Sequence, residues 1–136
     1  MLHWLLDEPR SEIVREALAS ADMVLASSLT VVECDRVLIR AVATNLLTEA
    51  VAADRRAVLA RTADHWVTFD LDPEVLDRVR RPFPAEPIRT LDAIHLATAL
   101  LARSLVSDLA ILSLDERVRR SALQLGLTVL PVSPVA

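Results

Sequence analysis

The sequence predicts a mixed α/β fold with a parallel sheet flanked by helices, and three observations carry that reading. Four short apolar runs alternate with longer helical stretches, which is the pattern of strands joined by helical crossovers. The chain is 53% hydrophobic but only 3% aromatic, so Leu, Val, Ala and Ile must build the core, and these residues suit helices packed on a parallel sheet. A single Gly and no Tyr argue against an all-β fold with many tight turns. At 136 residues the chain reads as one domain, 1–136, long enough for a substantial core.

Taken in order, Leu2 to Leu6 looks like the end of a helix, broken by Asp7-Glu8-Pro9. A helix is predicted from Ser11 to Ser20, with Ile13, Val14, Ala17 and Leu18 on one face. Met23-Val24-Leu25-Ala26 fits a buried strand. A long helix then starts near Thr30, where Thr30-Val31-Val32-Glu33 has the form of a capping box, and continues to Ala43. Another helix covers Leu47 to Thr62, and Val67-Thr68-Phe69 reads as a strand. Asp72-Pro73-Glu74 is an N-cap with Pro at the first helical position, and that helix ends near Arg81. Pro82, Pro84 and Pro87 make a stiff loop. Ala110 to Ser113 is a third strand, Asp115 caps a helix to Leu125, Gly126 ends it, and Thr128-Val129-Leu130 is a last strand.

The stretch from Arg89 to Ala102 is the most apolar helix of the sequence, and it carries Asp92 in its first turn. Thr90 is its expected cap. The bland reading of Asp92 is a carboxylate stabilised by the helix dipole. An acid that opens a mostly buried helix is nonetheless costly unless it is paired or bound to a cation.

Charge and composition narrow the function classes. The net charge is −4 and every basic residue is Arg, so bulk attraction to nucleic acid is excluded. A nucleic-acid substrate has to be reached through local Arg clusters or bridging cations. Arg55-Arg56, Arg78 to Arg81 and Arg117 to Arg120 are candidate clusters, although such runs are commonly solvated helix faces. The lone Cys34 excludes an internal disulfide. The apolar opening is too short to span a membrane and lacks the basic start of a signal peptide, so the chain reads as soluble and cytoplasmic.

Glu33, Asp92 and Asp115 share a position type, the first turn of a helix, and Glu33 and Asp115 directly follow predicted strands. In an open α/β sheet the carboxyl ends of strands form the ligand crevice, where distant acids can converge. Converging carboxylates repel unless a cation joins them, and hard oxygen ligands suit Mg²⁺ or Mn²⁺ and phosphoryl chemistry. Each residue also has a plainer role. Glu33 is as well explained by the capping box, and Asp115 alone is better explained as an N-cap. His95 and Cys34 read as core residues. Asp70 and Asp72 resemble the D-x-D of aspartyl-phosphate phosphatases, but that chemistry needs a Lys, which is absent, and Asp72 is explained as a helix start.

Three segments carry a family resemblance: Leu29 to Glu33, Thr90-Leu91-Asp92-Ala93-Ile94-His95-Leu96-Ala97-Thr98-Ala99, and Leu112 to Arg117. They resemble the downstream motifs of PIN-domain ribonucleases, and most closely those of VapC-type toxins of type II toxin–antitoxin systems. Leu6-Asp7-Glu8-Pro9 matches a loop of the same family. The resemblance implies a PIN-like three-layer fold and a metal-dependent endoribonuclease. Acids matching Glu33, Asp92 and Asp115 hold Mg²⁺ or Mn²⁺, and Ser113 matches an assisting hydroxyl. The implied partners are an RNA substrate, a VapB-like antitoxin and a second copy in a homodimer. The family begins with a central strand that ends in a metal-binding Asp, and this sequence starts after that strand. The expectation is therefore an N-terminally incomplete domain with low or absent activity. The rival expectations are a non-catalytic remnant that binds an antitoxin, and an unrelated binding module whose acids are only caps.

Overall fold

The computed structural model describes residues 5, 6 and 8–132. Among them are six helices and four short strands: α1 (Ser11–Ser20), β1 (Leu25–Ser27), α2 (Leu29–Ala43), α3 (Glu49–Ala63), β2 (Val67–Phe69), α4 (Pro73–Val79), α5 (Thr90–Arg103), β3 (Ala110–Leu112), α6 (Glu116–Gln124) and β4 (Thr128–Leu130). The fold is mixed α/β, as the alternating pattern predicts. The four strands pair as two two-stranded sheets, β1 with β2 and β3 with β4, instead of one continuous sheet. The chain divides into two compact units, residues 2–68 and 69–136.

In the first unit, α2 buries Thr30, Cys34, Leu38 and Ala41, a stripe at helical spacing. This face packs with α3, which contributes the buried Ala52 and Leu59. Val14 of α1 and Leu5 are fully buried in the same unit. The turn between α2 and α3 forms without glycine. Asn45 takes φ 59°, a left-handed conformation that Asn tolerates better than most residues, and the Leu46 and Leu47 amides both donate to the Ala41 carbonyl. Thr48 then caps α3 by accepting from the Val51 N–H at 3.2 Å. The Val67 N–H donates to the Val24 carbonyl at 2.9 Å where β1 and β2 meet.

In the second unit, α5 buries Ala93, Ile94, Leu96, Ala97, Thr98 and Ala102, while Leu91 stays 43% exposed. The helix is thus buried on most of its circumference, as its composition predicts, but Thr90 and Leu91 at its start are exposed. α4 packs on α5 behind the buried Val75, and Asp72 caps α4 through the Val75 N–H at 3.0 Å with Pro73 in the first turn. β3 and β4 run parallel with Ile111 opposite Val129, joined through α6. Gly126 has φ +79°, where a side chain would be strained, and so ends α6 as its position predicts.

Two polar devices hold the second unit's loops. The Arg119 guanidinium donates to the carbonyls of Ser113 at 2.8 Å, Leu130 at 3.1 Å and Pro131 at 2.8 Å, tying the ends of β3 and β4 to α6. The second device is the segment before α5. Phe83 is buried under the Arg78 guanidinium, 3.9 Å from its ring centroid. Arg78 also donates to the Arg81 and Pro82 carbonyls, and the fully buried Ser121 hydroxyl of α6 donates to the Pro84 carbonyl. Glu86 closes the turn by accepting from the Phe83 N–H at 3.0 Å and the Ile88 N–H at 2.6 Å. These bonds hold its carboxyl below its ordinary value of 4.5.

Two expected caps are absent. α2 starts at Leu29, with Ser28 at the N-cap and no side-chain cap bond, so Thr30 lies inside the helix and is buried. The Leu29 N–H is instead satisfied by the Ser27 hydroxyl at 3.2 Å. The capping box therefore does not form, because the helix begins two residues earlier than the Thr-to-Glu spacing requires. Similarly, Thr90 is the first helical residue of α5, and Arg89 holds the N-cap position without a side-chain bond. The predicted helix end at Leu2 to Leu6 falls mostly outside the described residues, as does Asp7.

Replacing Arg119 by Met is expected to lower stability by about 2 kcal/mol, the scale of losing charge-assisted bonds to partly buried carbonyls. The exposed Arg117→Met is the control, expected within about 0.5 kcal/mol of wild type. Equal urea midpoints for the two variants would contradict the clamp.

Glu86 gives a pH dependence of definite sign. Its folded-state carboxyl is lowered, so its contribution is complete above the unfolded value of 4.5 and is lost as pH falls through the lower folded value. The Phe83 and Ile88 amide resonances should move together below pH 4.5 in wild type and stay still in Glu86→Gln. A wild-type midpoint at or above 4.5 would contradict the two bonds.

Candidate active site

The braced loop of residues 80–89 delivers the chain to α5 in an extended conformation. Arg89 has φ −68° and ψ 152°, and its carbonyl accepts the Ala93 N–H at 2.8 Å. Asp92 therefore stands in the first turn, where the positive end of the helix dipole favours a carboxylate. Its Oδ2 lies 3.5 Å from the Arg89 Nε.

Asp115 is delivered from the other side, by the β3–α6 turn. The Asp115 N–H donates to the Ser113 hydroxyl at 3.2 Å, and the Arg119 clamp holds the Ser113 carbonyl. Asp115 Oδ1 caps α6, accepting from the Arg117 N–H at 2.9 Å and the Val118 N–H at 3.2 Å. Its other oxygen, Oδ2, lies 3.5 Å from Arg89 Nη2. The capping role and the site role thus fall on different oxygens of one carboxylate, and neither excludes the other.

Two helix N-termini consequently present carboxylates to one guanidinium. Asp92 is 29% exposed, Asp115 37% and Arg89 78%, so water screens the arrangement and each pair is weak and exchangeable. Arg89 is the residue that sequence reasoning missed. Its signal was present in the i,i+3 spacing to Asp92, which places opposite charges together across a helix start.

The remaining expected site residues stand as follows. Glu33 is on α2 in the first unit, half-buried, in a helix whose start it does not cap. Ser113 touches the site through its bond to Asp115. His95 is half-buried on α5, one turn after Asp92. Cys34 is fully buried, and burial pushes its thiol up to about 12, with Glu33 and Asp35 adding to the rise. A thiol so placed is neither a nucleophile nor a ready metal ligand. A groove of about 390 Å³ in the first unit is lined by Leu18, Met23, Val58, His65 and Trp66 among others, and includes none of the predicted site residues.

Among the described residues, no group of three or more His, Cys, Asp and Glu side chains is placed to hold a metal ion. The Asp92–Asp115 pair fits a divalent cation in a sparser way. Its donors are hard oxygens, and Mg²⁺ is commonly held by one or two carboxylates plus water and substrate phosphate. The Arg89 guanidinium marks the place where positive charge is accommodated. No helix among the described residues is long and apolar enough to cross a membrane.

No curated protein matches the chain. The family model described as PIN domain matches residues 1–123, a span that contains Glu33, Asp92, Ser113 and Asp115. PIN domains are usually nucleases, and PIN nucleases generally use divalent metals. A match over so much of the sequence, on a mixed α/β fold with short parallel strands, means that this chain belongs to the PIN domain family.

Proposed function

We propose that this chain is a VapC-type endoribonuclease toxin that hydrolyses RNA phosphodiester bonds with Mg²⁺ or Mn²⁺. One observation carries the reading: in a chain of a nuclease family, Asp92 and Asp115 present carboxylate oxygens to a shared cationic point. The sequence motifs around Glu33, Asp92 and Asp115 add the VapC likeness and name Glu33 as the third acid. A VapB-like antitoxin and a second copy of the chain are the partners this reading implies.

Each residue has a distinct task in this reading. Asp92 and Asp115 Oδ2 supply carboxylate oxygens at two helix starts, where the positive ends of the dipoles favour negative charge. Asp115 Oδ1 stays committed to α6 and fixes the direction in which Oδ2 faces. Ser113 holds the Asp115 backbone and brings a hydroxyl to the site's edge. A bound divalent cation supplies neutralisation of phosphate charge and a water of lowered pKa. Such a cation also accounts for how a chain of net charge −4 engages a polyanion.

RNA cleavage in Mn²⁺, with EDTA and Asp92→Asn as controls, tests the proposal. Cleavage should require the metal and fall by roughly 10²-fold or more in Asp92→Asn, the scale of losing one preorganised electrostatic partner. A folded protein that takes up Mn²⁺ but cleaves no RNA would point to a non-catalytic, antitoxin-binding PIN-like protein instead. Cleavage that persists in Asp92→Asn would remove Asp92 from the site.

A further inference from the structure

We infer that Arg89 is a resident counter-ion which a divalent cation must displace, and that its freed guanidinium then binds substrate phosphate. The inference rests on the proposed reading of Asp92 and Asp115 as metal ligands and adds a residue to that site. Its basis is geometric. Arg89 Nε stands 3.5 Å from Asp92 Oδ2, and Nη2 of the same guanidinium stands 3.5 Å from Asp115 Oδ2. One planar group thus meets the very oxygens that the cation would need.

The contacts are suited to exchange. Both are long for charge-assisted bonds, which are typically about 2.7–2.9 Å, and the guanidinium is largely in water. A dipositive ion attracts two carboxylates more strongly than a monopositive one at similar distance. The Arg89 backbone is meanwhile fixed, because its carbonyl begins the α5 hydrogen-bond ladder and the preceding turn is closed by Glu86. The side chain can therefore leave the acids without leaving the site. A forked donor at that rim matches phosphate oxygens, which Lys would meet only as a point charge. Neutralising the acids in the metal-free protein and gripping phosphate in the loaded one are two successive uses of one side chain.

This assignment predicts opposite signs for two equilibria in Arg89→Gln, a pattern that a merely structural role does not produce. Mn²⁺ affinity, measured by calorimetry on the full chain, should rise about three- to tenfold once the competing charge is gone. In saturating Mn²⁺, a fluorescently labelled single-stranded oligodeoxynucleotide should bind about three- to tenfold more weakly, with a shallower salt dependence. Arg89→Lys keeps the charge, so its Mn²⁺ affinity should stay near wild type while oligonucleotide binding still weakens. Asp92→Asn, which removes a carboxylate, should abolish most Mn²⁺ uptake. Unchanged or weaker Mn²⁺ binding in Arg89→Gln, with uptake still dependent on Asp92, would overturn the inference and leave the site reading intact. Unchanged oligonucleotide binding in Arg89→Gln would overturn its phosphate half. Mn²⁺ uptake that is absent in wild type, or indifferent to Asp92→Asn, would overturn the site reading and this inference together.

Discussion

Two carboxylates at neighbouring helix starts have to be reconciled with each other, and the second unit is organised around that constraint. Each helix dipole favours its own acid, yet the acids repel one another. Arg89 relieves the repulsion by lying against both. The arrangement works because Asp115 divides its oxygens, one facing the α6 amides and the other facing Arg89. Had the cap used both oxygens, Asp115 would be only a helix terminator. As it stands, the bonds that start α6 also aim a charge.

A chain with a single glycine has to build its turns by other means, and those means position the site. Side chains answer the backbone at three of the sharp bends. The Ser27 hydroxyl receives the first amide of α2, Glu86 closes the turn before α5, and the Ser113 hydroxyl shapes the turn before α6. Arg119 satisfies three carbonyls at the ends of β3 and β4. Each device removes an unpaired backbone group and also fixes a direction. Arg119 has further reach: by holding the Ser113 carbonyl, it steadies the residue that hydrogen-bonds Asp115.

Much of this was legible in the sequence, for physical reasons that differ by element. α1 and β2 fall where periodicity and flanking breakers place them, and α4 begins at Asp72-Pro73 because that pair suits only a helix start. Gly126 was readable because left-handed backbone is where glycine is needed. The turn at Asn45 and the positive φ of Ala85 were not, since neither residue demands such a conformation. The caps at Thr30 and Thr90 misled because the motif fixes a spacing and not a starting residue. Both helices begin where the preceding backbone turns, which local spacing does not encode. The division of the strands into two pairs was likewise unreadable, since short apolar runs do not state their partners. At the site, the acids stood out by position type, whereas Arg89 was hidden among 15 basic residues, all of one kind.

The failure of the capping box changes how Glu33 should be weighed. Before the structure, a plain local role accounted for it as well as a site role did. That role requires Thr30 at the N-cap, and Thr30 is a buried residue within α2. The capping explanation is therefore gone, while Glu33 is a half-buried acid one residue from a thiol whose ionisation it helps to suppress. Asp115 moved the other way: its local role is confirmed, and yet it leaves an oxygen over. A cap and a ligand are thus poor alternatives for an acid at a helix start. What decides is whether the cap consumes the whole carboxylate, and in Asp115 it does not.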